Sequence, residues 1–352
     1  MTGPRYDAAQ LEAFASELLL AMRLPPDKAD AVAQILVEGD LMGHTTHGLA
    51  LLAPYLAGYE SGTITREGDP VVVADAGAAV TWDGRRLPGP WLVLRAMALA
   101  TERAKRYGTG TVVIRRSHHI ASLESYLRRA TDQGLVMLLT CSDPCVASVA
   151  PFGGLDPVLT PNPVAAGFPT DGAPVLIDIS TSATTNGLTN RLHGEGGRLP
   201  AQWLIDGHGQ PSDDPAVLFN EPKGTILPLG GIDSGHKGYG LSLLVEALTG
   251  GLAGHGRADD KEGWGATVFL QILDPGAFAG AGAFTRQTTE LVRRCHASRP
   301  SRPGTAVRTP GERGVRLASQ QREQGVELYP SIMPMLGPWA EKLGVTPPSP
   351  RD

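Results

Sequence analysis

Leu11, Phe14, Leu18 and Met22 recur at three- and four-residue steps, which sets them on one face of a helix. Asp7 ahead of them, with Gln10 three residues on, has the form of a capping box. Pro25 and Pro26 break that helix and open a second, in which Val32, Ile35 and Leu36 carry the apolar stripe toward Gly43. The pattern changes after Tyr55. Apolar runs at 71–73 and 79–82, bounded by glycine-containing turns, read as strands. A helix over 91–107 stopped by Gly108, a strand over 111–115, a helix over 122–133 stopped by Gly134 and a strand over 135–140 follow. Further strands are predicted at 175–179 and 267–273, with a helix after Lys237 between them. Such alternation predicts a mixed α/β fold. The stretch 293–313, rich in Arg, Ser, Pro and Gly without periodicity, predicts a long loop. A last helix is expected over 330–343, before a proline-rich tail.

The chain has 352 residues, 41% of them hydrophobic, enough to bury a sizeable core. Its net charge of −5 argues against a nucleic-acid or membrane-surface binder, which would need a basic excess. No apolar run has transmembrane length and the N-terminus lacks an apolar leader core, so a cytoplasmic location is expected. The three cysteines, Cys141, Cys145 and Cys295, suit a reducing compartment. Cys141 and Cys145 have no second ligand pair at zinc spacing, so no metal is expected.

The densest candidate chemistry is Gly235-His236-Lys237-Gly238-Tyr239-Gly240, running into an apolar helical pattern over 243–252. Glycines let backbone approach a ligand, and a following helix N-terminus favours an anion; the plainer reading is a turn with a solvated lysine. The run is neither a Walker loop nor G-x-G-x-x-G. Gly43-His44-Thr45-Thr46-His47-Gly48 gathers two imidazoles and two hydroxyls, either as a ligand turn or as a helix C-cap. His118 and His119 follow a strand, where side chains commonly face ligands. Adjacent residues diverge, so one of the pair should face a ligand and the other be structural. Histidine is suited to protonate a carbonyl oxygen under reduction. Asp178, at another strand end, could bind ribose hydroxyls, steady a histidine or cap a helix. Asn162, in Thr160-Pro161-Asn162-Pro163, could bind substrate or its own backbone.

Along nearly its whole length the chain resembles the malate/L-lactate dehydrogenase family, the one unrelated to Rossmann-type lactate and malate dehydrogenases. The resemblance is carried by residues 40–48, Ser117-His118-His119, residues 150–154, Asn162-Pro163, residues 178–182, Lys237-Gly238-Tyr239-Gly240-Leu241 and Pro310-Gly311-Glu312. It implies an NAD- or NADP-dependent oxidoreductase, α/β with a non-Rossmann mixed-sheet nucleotide domain, a helical domain formed from both chain ends, and a homodimer. On that basis residues 1–70 are an N-terminal helical segment and 71–275 the cofactor-binding and catalytic domain. Residues 276–345 are a C-terminal helical segment packing on the N-terminal helices, and 346–352 a tail. The resemblance further implies that His119 is the proton carrier, assisted by His47, and that Thr46, His47, Tyr55 and Asn162 contact substrate. Asp178, Ile179, Ser180, Lys237, Gly238, Gly265 and Thr267 are implied at the cofactor, and Arg191 is a candidate for a 2′-phosphate.

The departures from the family concentrate at the substrate. Leu51 stands where many members have an arginine for the substrate carboxylate, so a bidentate clamp is missing. Thr46 replaces Ser, His118 replaces Asn, Ala121 replaces Gly, Pro161 replaces Thr, and the segment between His255 and Gly263 is short. The expected substrate is a small 2-oxo or 2-hydroxy acid, held by Arg115, Arg116 or His47. The alternatives are reduction of a cyclic imine or neutral ketone, and a dimeric homologue without catalysis.

Overall fold

The computed structural model of the chain describes residues 3–260 and 263–351. Met1, Thr2 and Asp352, with Lys261 and Glu262 of the short loop, lie outside the described residues. The chain begins with β1 (Arg5–Tyr6), α1 (Ala8–Ala21), α2 (Pro26–Leu41) and α3 (Leu52–Ser61). The strands and helices β2 (Val71–Asp75), β3 (Ala79–Asp83), α4 (Gly89–Tyr107), β4 (Thr109–Ser117), α5 (Glu124–Thr131) and β5 (Val136–Ser142) come next. After β6 (Pro163–Phe168), β7 (Val175–Ser180) and α6 (Asn186–Gly194), three short strands β8 (Leu204–Ile205), β9 (Pro211–Ser212) and β10 (Thr225–Ile226) make a separate small sheet. The remainder is α7 (Gly231–Ser234), α8 (His236–Glu246), β11 (Ala266–Leu273), α9 (Ala281–Ala297), α10 (Glu312–Gln324), β12 (Val326–Glu327) and α11 (Ile332–Leu343).

The main sheet has the order β2-β3-β4-β11-β5-β6-β7. β3 and β4 are parallel and the other neighbours antiparallel, so the sheet is mixed as the strand–helix alternation predicts. β11, the last of its strands in sequence, inserts between β4 and β5. That insertion brings residues 264–267 to the end of β4 that carries His118 and His119.

Local signals read from sequence operate as expected at several ends. The Asp7 carboxylate accepts from the N–H groups of Ala9 and Gln10 at 2.9 and 3.1 Å, capping α1. Gly108 ends α4 in the left-handed conformation at φ 82°, which glycine adopts without penalty. The two chain ends meet where β1 pairs with β12, Arg5 opposite Glu327 and Tyr6 opposite Val326. The buried Gln321 side chain of α10 donates to the carbonyls of Asp40 and Leu41 at the end of α2.

Two expectations are corrected. The stretch 293–313 is not one loop. α9 continues through Ala297, its last turns braced by Arg293 and Arg294 on Glu290 at helical spacing, and α10 already begins at Glu312. The glycine run around Lys237 is not a loop ahead of a helix starting near 243. α8 starts at His236, with Gly238 and Gly240 inside it. Packing overrides the low helix propensity of glycine, since a Cβ on Gly238 would stand 2.4 Å from Leu229 N and 2.6 Å from Thr181 O.

Candidate active site

His118 and His119 end β4 and divide as adjacent residues must. His118 is only 3% exposed, its ring edge-on to Tyr55 and Trp264; burial, with Arg86 nearby, pushes its pKa down to about 3. His119 is half-buried. Its Nδ1 accepts from the Ala121 N–H at 3.2 Å and lies 2.9 Å from the Tyr55 hydroxyl, which also donates to the His119 carbonyl at 3.2 Å. Nε2 is left without a hydrogen-bond partner among the described residues. The His119 ring packs 4.8 Å from Trp264 and 5.9 Å from His47, centroid to centroid. Burial, then the charges of His47 and His118, hold its pKa well below the ordinary value.

Two glycines let these backbones come together. A Cβ on Gly89, at the start of α4, would lie 2.3 Å from the carbonyl oxygen of His119 and 2.4 Å from that of His118. A Cβ on Gly265 would lie 2.8 Å from Ser117 O, so Gly265 lets Trp264 reach His119. The Gly265 N–H donates to Asp143, and Thr267 beside it is buried with an unpartnered hydroxyl.

The turn carrying Thr46 and His47 faces His119 from the end of α2. Buried Asp40 accepts from Leu49 N at 2.6 Å, and a Cβ on Gly48 would strike its carboxyl group at 2.4 Å. Desolvation raises the Asp40 pKa to about 7. Thr46 Oγ1 is 2.8 Å from His47 Nδ1. Burial, with His44 and Arg191 nearby, lowers the His47 pKa to about 4, so the ring is neutral at pH 7. From α6, Arg191 donates to the Thr45 hydroxyl at 2.9 Å and its carbonyl at 2.6 Å, while its guanidinium stacks 3.7 Å over Tyr329.

His44 points away from His119, with Nε2 2.6 Å from Glu124 Oε2. Burial opposes its charge, but the bond to Glu124, with Asp178 and Asp40 nearby, carries its pKa above the ordinary value. Glu124 N donates to Asp178 at 2.9 Å, so Asp178 both starts α5 and lies near His44. Beyond Asp178, Ile179 is 46% exposed and the Ser180 hydroxyl donates to Ser182 O. Gly238 brings α8 against this stretch at Thr181, and exposed Lys237 in the first turn of α8 has no hydrogen bond or ion pair among the described residues. A cavity of about 530 Å³ borders the same stretch at Ala183 and Leu229; His47 and His119 are not part of its lining.

Asn162 stands apart from this group. It is fully buried, at φ 43°, and its amide donates to Ser242 and Glu246, while its Oδ1 has no protein partner. Tyr55, 1% exposed, lies beneath His119 and meets the site through it. The cations weighed from sequence are engaged: Arg115 and Arg116 both pair with Asp83, and Arg191 holds Thr45. Sequence reasoning missed Trp264, Gly89, Glu124 and Asp40. Pro88-Gly89-Pro90 was a visible signal for a close backbone approach; nothing local marked the others.

Comparison with known proteins gives one picture. Residues 6–336 match the malate/L-lactate dehydrogenase family. L-lactate dehydrogenase of Cupriavidus necator is 32% identical over 96% of this chain and 97% of its own. L-sulfolactate dehydrogenase of Methanothermobacter thermautotrophicus is 30% identical over 90% and 91%. The crystal structure of malate dehydrogenase from Entamoeba histolytica superposes with a TM-score of 0.90 at 25% identity, covering 97% of this chain and 98% of that one.

Proposed function

The chain belongs to the malate/L-lactate dehydrogenase family, and from that premise we propose hydride transfer between a nicotinamide cofactor, NAD or NADP, and a small 2-oxo or 2-hydroxy acid. The observation that carries this reading is the Nε2 atom of His119, unpartnered among the described residues and turned out of a half-buried ring between Trp264 and His47. In reduction, protonated His119 gives its Nε2 proton to the carbonyl oxygen; in oxidation, the ring with its proton on Nδ1 takes the hydroxyl proton at Nε2. His47, neutral at pH 7, assists at the same oxygen as a hydrogen-bonding group, and Thr46 holds its ring.

The nicotinamide, when bound, supplies or accepts the hydride. The residues present suit such a group: Lys237 is an exposed cation in the first turn of an eleven-residue helix, where free N–H groups and the helix dipole favour a diphosphate. Asp178, Ile179 and Ser180 would bound one side of the cofactor, with Gly238 giving α8 its close approach. Gly265 and Thr267 would bound the other side, near His119. Asn162 would serve the substrate by fixing the 160–163 turn rather than by a donor of its own.

A second reading, reduction of a cyclic imine or neutral ketone, is favoured by one observation. Arg115, Arg116 and Arg191 all have protein partners, and the residue at the position where the resemblance implies an arginine clamp is Leu51. A homodimer is proposed from the exposed Leu243, Leu244, Leu252, Phe278 and Leu291, and a cytoplasmic location from the three free cysteines.

The test is a fluorescence titration with NADH and with NADPH, following energy transfer from the tryptophans, then turnover of 2-oxo acids, cyclic imine acids and neutral ketones. Saturable binding of one nucleotide and turnover of an acid support the reading. Binding with turnover only of uncharged compounds supports the second. Folded protein that binds neither nucleotide refutes both.

A further inference from the structure

The two contacts at His119 Nδ1 pose a chemical difficulty whose solution lies in Tyr55. An N–H can only donate, so the Ala121 contact at 3.2 Å makes Nδ1 an acceptor and sets the resting neutral His119 as the Nε2–H tautomer. That ring can polarise a carbonyl. To give up a whole proton from Nε2 it must first carry one on Nδ1 as well, and that proton faces the N–H of Ala121. Some nearby atom must therefore accept from Nδ1–H in the charged ring yet need not do so in the neutral one.

We infer that Tyr55 is a positioning residue whose hydroxyl rotates to serve both protonation states of His119. The hydroxyl oxygen lies 2.9 Å from Nδ1 and 3.2 Å from the His119 carbonyl, so both partners are within reach without movement of heavy atoms. With neutral His119, the O–H can donate to Nδ1 or to the carbonyl. With the imidazolium, the O–H turns to the carbonyl and the oxygen accepts from Nδ1–H. Burial holds the Tyr55 phenol firmly protonated, so the hydroxyl turns but never gives up its proton. With hydride supplied to carbon by the nicotinamide, the Nε2 proton goes to oxygen, and the ring, left with its proton on Nδ1 and held by the Tyr55 oxygen, regains a proton at Nε2 from solvent.

The groups that bear on this equilibrium can be named. His47 from the turn after α2 and His118 from the same segment face the ring and oppose its charge. Tyr59 of α3, Tyr126 of α5 and Cys141 of β5 surround the phenol. Against these, the Tyr55 oxygen is the acceptor that Nδ1–H can find in the charged state.

The inference rests on His119 carrying the proton, so wild type, Tyr55→Phe and His119→Ala are compared in the full-length protein. The readouts are the pH dependence of kcat/KM for reduction, cofactor titration and thermal unfolding. Tyr55→Phe should fold and bind cofactor as wild type does. The loss of activity with rising pH should move about one pH unit lower, because one hydrogen bond to the imidazolium is gone. An unmoved profile in folded Tyr55→Phe, with or without a lower kcat, overturns the inference, since packing alone would leave the profile in place. Unchanged turnover in His119→Ala instead overturns the proton-carrier reading beneath it. Should Tyr55→Phe not fold, ¹⁵N spectra of histidine-labelled wild type decide: the Nε2–H tautomer of His119 at pH 8 is expected, and the Nδ1–H tautomer overturns the inference.

Discussion

Gly89 lies directly beneath His119: a Cβ at residue 89 would stand 2.3 Å from the His119 carbonyl oxygen. Backbone atoms cannot yield as the end of a flexible side chain can. Gly89→Ala should therefore lift the His118–His119 segment off the α4 N-terminus, costing about 1–3 kcal/mol of stability as an overpacking change. It should also lower kcat more than it weakens cofactor binding. A urea melt together with steady-state kinetics checks both; wild-type kinetics at undiminished stability would mean that the approach is looser than the structure has it.

Lys237 and Gly238 make separable contributions to cofactor binding. Lys237→Ala removes an exposed charge with no protein partner, so thermal unfolding should be unchanged while nucleotide affinity falls about tenfold or more. Gly238→Ala meets Leu229 and Thr181 backbone and should lower stability and affinity together. Calorimetric titration beside a melting curve separates the two behaviours.

Arg191 couples α6 to the substrate turn through Thr45 and to the C-terminal region through its stack on Tyr329. Arg191→Lys keeps a cation but loses the planar two-point grip. Its kcat/KM should fall about tenfold, with cofactor affinity unchanged if the residue serves the turn. A selective loss of NADPH over NADH affinity would instead give Arg191 the 2′-phosphate.

Stability should change with pH in two opposed ways. His47 and His118, with pKa values lowered to about 4 and about 3, stay neutral in the fold where the unfolded chain takes up protons, so stability is lost as pH falls from 6.5 toward those values. Asp40, raised to about 7, holds its proton in the fold at pH values where the unfolded chain has released it. Its contribution is thus present at low pH and lost as pH rises from about 4 through 7. Asp40→Asn keeps an acceptor for Leu49 N and abolishes that second dependence. Relative to wild type, its urea midpoint should be most favourable at pH 8 and least at pH 4; a difference independent of pH would show that Asp40 titrates normally.

Much of this site can be read along the chain because its signals are local. The divergence of adjacent His118 and His119 follows from strand geometry, whereas the close approach at Gly238 is to the Leu229 and Thr181 backbone of the protein itself. Where local reasoning erred, packing outweighed propensity: α8 winds straight through Gly238 and Gly240. The partners that set the chemistry of His119 lie far away in sequence. Tyr55 comes from α3, and Trp264 arrives only because β11 inserts between β4 and β5. No periodicity near residue 264 could announce that, and nothing around Arg191 indicated that it would hold Thr45.

The most direct test of the central claim is turnover by His119→Ala once its cofactor binding has been verified. The account predicts nucleotide affinity close to wild type and kcat lower by roughly 10²–10⁴-fold. Wild-type kcat in a folded, cofactor-binding His119→Ala protein would contradict it and move the proton transfer to another group.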